Sequence, residues 1–394
     1  MRKLGQTIVL IALLIATCWA QSAGSHPAST NIPGAQFPRI NPDRSVTFRV
    51  QADQAQKVQL LMELGQSTYD MVKGADGIWE VTTKPLLPGF HYYAISVDGF
   101  ASNDPGSRVF FAARKEVSGL EVPGPESDFF AVKDVPHGTV RTEWYFSKTT
   151  GQTRRIFVYT PPGYDSSSRR YPVLYLQHGW GEDEAGWSDQ GHENFILDNL
   201  IAAGKAKPMI IVNENGMTDV HFEPPPPPPH GADKAAPPPP RAVSHFFMDE
   251  RYTTFDKILT SDLIPFIDAH YRTIPDRTHR ALAGLSMGGA QAMRVGLNHL
   301  DTFAYIGAFS PAIAITDTKK DYDGVLADPA KVNRQLRLLW LGIGSDDFLF
   351  NAVHESHENL EKAGIKHVWV VSSGSHVWTV WRKYLADFAP RLFQ

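Results

Sequence analysis

The chain has 394 residues, with 42% hydrophobic and 20% charged side chains, the balance of a globular protein long enough for two domains and a large core. The formal net charge is −4, and neither the basic surface that nucleic acid calls for nor a basic amphipathic segment for a membrane surface is evident. The sole cysteine is Cys18, so a chain processed beyond it has no disulfide, thiolate metal site or thiol nucleophile.

The first twenty residues read as an export signal. Arg2 and Lys3 supply the positive end, Ile8 to Ala16 the apolar stretch, and Ala20 a small residue suited to cleavage. The apolar stretch is short for a bilayer span. Thr17 before Cys18 and Trp19 after it argue against lipid anchoring there. The expected location is therefore secreted or periplasmic.

Residues 21–36, rich in Ser, Ala, Gly and Pro, read as a flexible lead-in. Short alternating runs follow: Val46 to Val50, Val58 to Met62, Trp79 to Thr83 and His91 to Val97. Strands at this spacing with no helix between them predict a small immunoglobulin-like β-sandwich over 27–120. Residues 121–139 then read as a linker.

Over 140–394 the pattern changes. Strands are expected at Ile156 to Tyr159, Val173 to Gln177, Met209 to Asn213, His279 to Ala283, Phe303 to Phe309, Leu336 to Gly342 and His367 to Val371. Helices are expected at Asn194 to Ala203, Asp262 to Tyr271, Ala290 to Leu297, Val353 to Ala363 and Trp378 to Phe388. This alternation predicts an α/β fold, a mostly parallel sheet with helices on both faces, whose reactive groups gather at the carboxyl ends of strands. One stretch, 223–241, interrupts it. Its proline runs cannot sustain a helix or an inner strand and read as an exposed insert.

The chemistry centres on Gly284-Leu-Ser286-Met-Gly288. A strand that ends in Gly-x-Ser-x-Gly and continues into a helix exposes the serine on a sharp turn, where a base can reach it. The first N–H groups of that helix, beginning with Met287, can meet a developing oxyanion. In the chain order serine, acid, histidine, two strand ends follow. Gly342-Ile-Gly-Ser-Asp346-Asp347 supplies carboxylates, of which Asp347 is preferred, and Ser372-Ser-Gly-Ser-His376 supplies a base. Asp301 and Asp321 read as solvated loop residues. The turn Gln177-His178-Gly179-Trp180-Gly181 offers a second backbone donor, the N–H of Trp180, with His178 as a structural residue. His354-Glu-Ser-His357-Glu358 lacks the spacing of a zinc peptidase and reads as a polar helical face. With no phosphate loop or dinucleotide fingerprint, neither cofactor nor metal is expected.

Residues 138–394 resemble the feruloyl and acetylxylan esterases of carbohydrate esterase family 1, the esterase D-like group. The resemblance rests on Pro161-Pro-Gly-Tyr164, Tyr171-Pro-Val-Leu-Tyr-Leu-Gln-His-Gly-Trp-Gly181, Gly284-Leu-Ser-Met-Gly-Gly289, Gly344-Ser-Asp-Asp347, His376-Val-Trp378 and Trp381-Arg382. It implies an α/β-hydrolase domain that cleaves a feruloyl ester of arabinoxylan, with Ser286, His376 and Asp347 as the triad. Acetylxylan and siderophore esters are alternative substrates, and a non-catalytic carbohydrate-binding protein is the alternative outside enzymes. The first domain is similar to the early-set, glycogen-binding-like (CBM48-like) modules that precede such esterases, through Asp76-Gly-Ile-Trp79 and Pro88-Gly-Phe-His-Tyr-Tyr93. Trp79, Tyr92 and Tyr93 are its candidates for a sugar-stacking platform, although aromatics in a small sandwich are more often core.

Overall fold

The computed structural model describes residues 24–218 and 250–394. The expected leader, Cys18 and the proline-rich stretch 223–241 lie outside the described residues. The chain divides into two compact units. One runs to Val109 and takes in Val117–Pro125; the other holds Phe110–Glu116 and Glu126–Gln394.

The first unit is built of antiparallel strands in two sheets. Strands Arg39–Ile40, Val46–Gln51, Ile78–Thr82 and Val72–Lys73 lie side by side in one. Strands Gly89–Val97, Val58–Met62 and Ser67–Asp70 follow one another in the second. Alternate residues point inward, as Val58, Leu60 and Met62 do, and meet Val46, Phe48, Tyr93 and Ile95 in one core. Trp79, Tyr92 and Tyr93 are all buried. The Trp79 indole donates to the Ala52 carbonyl and the Tyr93 hydroxyl to Asp104. They form no exposed sugar platform: Trp79 and Tyr93 fill the core of a small sandwich, and Tyr92 packs edge-on to Phe90 at 4.9 Å. Residues Ser118–Val122 pair with Gly89–Tyr93, so strand continues into the stretch expected as linker.

The second unit carries an eight-stranded sheet. In chain order its strands are β1 (Thr139–Ser147), β2 (Gln152–Thr160), β3 (Val173–Gln177), β4 (Ile210–Glu214), β5 (Arg280–Leu285), β6 (Tyr305–Phe309), β7 (Leu338–Gly344) and β8 (Val368–Ser372). Their spatial order is β1-β2-β4-β3-β5-β6-β7-β8. β1 and β2 run antiparallel to their neighbours, and the rest are parallel. Every residue of β3, β4, β5 and β6 is buried, which requires cover on both faces of the sheet. Among the described residues, the α-helices longer than one turn are, in chain order, α1 (Glu193–Ala202), α2 (Glu250–Lys257), α3 (Ile264–His270), α4 (Met287–Asn298), α5 (Pro329–Gln335), α6 (Phe350–Lys362) and α7 (Trp378–Phe388). This is the α/β-hydrolase architecture, with β5 near its centre. Where one long helix was expected from Asp262, a wider-wound segment, Ile258–Leu263, precedes α3.

Candidate active site

The sharp turn that carries Ser286, a strand-to-helix elbow, begins where β5 stops. Ser286 has φ 52° and ψ −114°, a conformation an L-residue adopts only when its surroundings dictate it. They do so through three backbone bonds. The Ser286 N–H donates to the Phe309 carbonyl at 2.8 Å, and its own carbonyl accepts from Ala290 at 3.1 Å and from Ala312 at 3.0 Å. The flanking glycines are needed because backbone passes too close for a side chain. A Cβ on Gly284 would lie 2.5 Å from the Gly288 carbonyl carbon, and one on Gly288 would lie 2.5 Å from the His178 oxygen. Met287 is the first residue of α4, so its N–H has no partner within the helix and carries the positive end of the dipole.

Two strands away, β7 and β8 extend their pairing into the turns that follow. Ser345 donates to the Ser372 carbonyl at 2.7 Å and Asp346 to that of Gly374 at 3.0 Å. These bonds turn Asp347 inward and leave Asp346 exposed. Asp347 Oδ1 accepts the Leu349 N–H at 2.9 Å, and Oδ2 accepts from His376 Nδ1 at 2.8 Å. That bond places the His376 proton on Nδ1 and leaves Nε2 as the basic nitrogen. The imidazole meets the edge of Trp381 with ring centroids 4.9 Å apart, and the Phe348 ring at 4.7 Å. Phe348 is 76% exposed, an apolar surface beside the imidazole.

The turn after β3 closes the site from the other side. A Cβ on Gly179 would lie 3.6 Å from the Cβ of Ser286, so this backbone runs against the serine. His178 is fully committed. Nδ1–H donates to the Gly179 carbonyl at 2.7 Å, and Nε2 accepts the Gly216 N–H at 3.0 Å. Burial holds its pKa below the ordinary histidine value. Gly181 has φ +77°, which favours glycine, and a Cβ there would lie 3.0 Å from Ala113 Cα. Its carbonyl accepts the Arg114 N–H at 2.8 Å.

The structure therefore joins His376 to Asp347 directly, and seats Ser286 against the His178–Gly181 turn that bears Trp180. Among the described residues, no hydrogen bond links the Ser286 hydroxyl to His376. The other ligand-rich stretch is occupied with packing. His357 stacks on Trp369 at 4.4 Å and shares a 2.7 Å hydrogen bond with His367. Asp321 accepts the backbone N–H groups of Thr316 and Asp317, and Asp301 the Thr302 hydroxyl. Among the described residues no group of three or more His, Cys, Asp or Glu could hold a metal ion. Sequence reasoning missed Glu182, a buried carboxylate whose only local signal is an acid directly after a His-Gly-x-Gly turn.

Residues 147–392 match the family model Esterase. The chain belongs to the esterase family. It is 35% identical over 377 residues to an endo-1,4-beta-xylanase/feruloyl esterase of Xylanibacter ruminicola, covering 93% of this chain and 47% of that protein. It is 26% identical over 265 residues to esterase Rv1288 of Mycobacterium tuberculosis, covering 61% of this chain and 52% of that one. The chain thus spans about half the length of these curated relatives. Among solved structures it is similar to a CE1 ferulic acid esterase from Anaeromyces mucronatus in complex with ferulic acid. There the TM-score is 0.54 at 26% identity, over 68% of this chain and 95% of that one. This supports the kinship with carbohydrate esterase family 1. The enterobactin esterase of Shigella flexneri shares the fold over 89% of this chain and 93% of its own, with TM-score 0.61 at 17% identity.

Proposed function

We propose that this esterase hydrolyses carboxylic esters through an acyl-enzyme formed on Ser286, and that its substrates are feruloyl esters of plant cell-wall polysaccharide. The observation that carries the chemistry is the His376–Asp347 bond, set on the same sheet edge as a serine held at positive φ. His376 Nε2 takes the Ser286 proton as Oγ attacks the ester carbonyl. The oxyanion forms against the N–H groups of Trp180 and Met287. The imidazolium, stabilised by Asp347, returns the proton to the departing alcohol, and water then releases the acid by the same steps in reverse order of roles. In unliganded sites the bond from nucleophile to base is often long and tightens when substrate binds. The feruloyl preference rests on the kinship with a feruloyl esterase and a ferulic acid complex. We propose export on the strength of the leader alone.

The test is a panel of methyl ferulate, feruloylated arabinoxylan oligosaccharide, acetylated xylan and a catechol siderophore ester. The reading expects kcat/KM to be highest on the feruloyl esters. Preference for acetyl or siderophore esters would move the substrate and leave the chemistry standing. No turnover on any ester would remove both.

A further inference from the structure

One buried carboxylate joins the two loops on which the proposed chemistry depends. Glu182 is 6% exposed. Its Oε2 accepts the Gly179 N–H at 2.9 Å, and its Oε1 accepts the Trp378 indole N–H, also at 2.9 Å. The backbone closes the same ring from the other direction, because the Glu182 N–H donates to the Gly179 carbonyl at 3.3 Å. Gly179 and Glu182 therefore clasp each other twice, with Trp180 and Gly181 held between them. The clasp bears on the nucleophile, since a Cβ on Gly179 would lie 2.6 Å from Leu285 Cδ1 and 3.6 Å from Ser286 Cβ.

The second oxygen reaches the histidine loop. Trp378 stands two residues beyond His376. Its ring is edge-on to Trp187 at 5.2 Å and to Trp381 at 5.4 Å, and Trp381 is in turn edge-on to the His376 imidazole. The Trp187 indole donates to the Gln177 carbonyl at 2.9 Å, which returns the network to the strand that carries the first loop. A buried carboxylate is costly unless hydrogen bonds to its charged form offset the lost hydration. Glu182 receives one such bond from each of the two loops.

We propose that Glu182 is a positioning residue for the oxyanion site: it fixes the Trp180 backbone N–H against Ser286 and ties that loop to the one bearing His376. This rests on the reading of Ser286 and His376 as nucleophile and base. Glu182 exchanges no proton and touches no reacting atom. Its two oxygens accept from two donors, a duty that glutamine, with one acceptor oxygen and one NH2, cannot discharge.

The experiment compares Glu182→Gln, Trp378→Phe and Ser286→Ala in the full chain. It measures kcat and KM on methyl ferulate, together with inhibition by an aryl boronic acid, which forms a tetrahedral adduct on a serine. With Glu182→Gln, kcat falls about 10²-fold, the size of losing one oxyanion donor. Boronate affinity falls in parallel and KM stays near the wild-type value, a split that general loosening of the fold would not produce. Trp378→Phe keeps an aromatic ring, removes the indole donor, and lowers kcat about tenfold, the worth of one hydrogen bond. It carries the test if Glu182→Gln does not fold. Wild-type kcat and boronate affinity in Glu182→Gln, or unchanged kcat in Trp378→Phe where that variant carries the test, overturn the inference, provided Ser286→Ala is inactive. If Ser286→Ala keeps wild-type turnover, the reading beneath it fails instead.

Discussion

Two turns at the carboxyl edge of one sheet each carry a histidine, and their surroundings give the two rings opposite duties. His178, after β3, has both nitrogens spent on backbone: one donates to Gly179 and the other accepts from Gly216. Its proton has nowhere to go, and burial disfavours a second one. Among the described residues His376, after β8, spends only Nδ1, on a carboxylate. An imidazole paired with a carboxylate can take a proton at its other nitrogen and have the charge stabilised, whereas one bonded to backbone at both nitrogens can only hold a loop in place. Residue type says little here, and the partner decides.

Three predictions put that contrast at risk. The largest effect belongs to the base. His376→Ala should lower kcat by about 10⁶, the loss seen when the histidine of such a triad is removed, while His178→Asn should cost about tenfold or less. Steady-state kinetics on methyl ferulate separate the two, and equal losses would erase the distinction. Next comes the carboxylate. Asp347→Asn should lower kcat by about 10⁴, because an amide can favour the wrong imidazole tautomer. Asp346→Asn, on an exposed side chain, should leave kcat within about twofold, since surface substitutions away from such features do little. A reversed order would assign the acid to the wrong neighbour.

The smallest effect concerns pH and stability. The His178 pKa is depressed in the folded state, against about 6.5 when unfolded. Above that value both states hold the ring neutral, and its native bonds contribute fully. As pH falls from there toward the lower folded value, the unfolded chain gains a proton that the native ring refuses, and the contribution shrinks. The wild type should therefore exceed His178→Asn in stability most at pH 8, with a difference that narrows by pH 5.5 in urea unfolding. A difference that widens toward acid would contradict the buried, neutral ring.

Much of this is legible in the sequence. β3 was expected at Val173 to Gln177 and stands at Val173–Gln177, because a fully buried parallel strand reads as a continuous apolar run. The elbow was legible for the same reason, with its glycines marking where backbone crowds. β1 was not, because an edge strand hides its pattern. Tyr145 and Ser147 face inward, but Trp144 and Phe146, which alternate with them, stand in solvent. In Lys115–Val122 the small residues Ser118 and Gly119 broke the alternation. The aromatics of the first unit were ambiguous, since Trp79, Tyr92 and Tyr93 look alike on paper whether they stack on sugar or lie buried. Glu182 was invisible as a link because the partner of its Oε1, Trp378, is 196 residues away, and no local pattern reports such a bond.

The central claim is that the Ser286 hydroxyl is the group that accepts the acyl chain. Treating the full chain with a fluorophosphonate and mapping the adduct by peptide mass spectrometry tests it directly. The account predicts one adduct, on Ser286, absent from Ser286→Ala and accompanied by loss of ester hydrolysis. An adduct on another residue, or an unlabelled protein that still cleaves the ester, would contradict it.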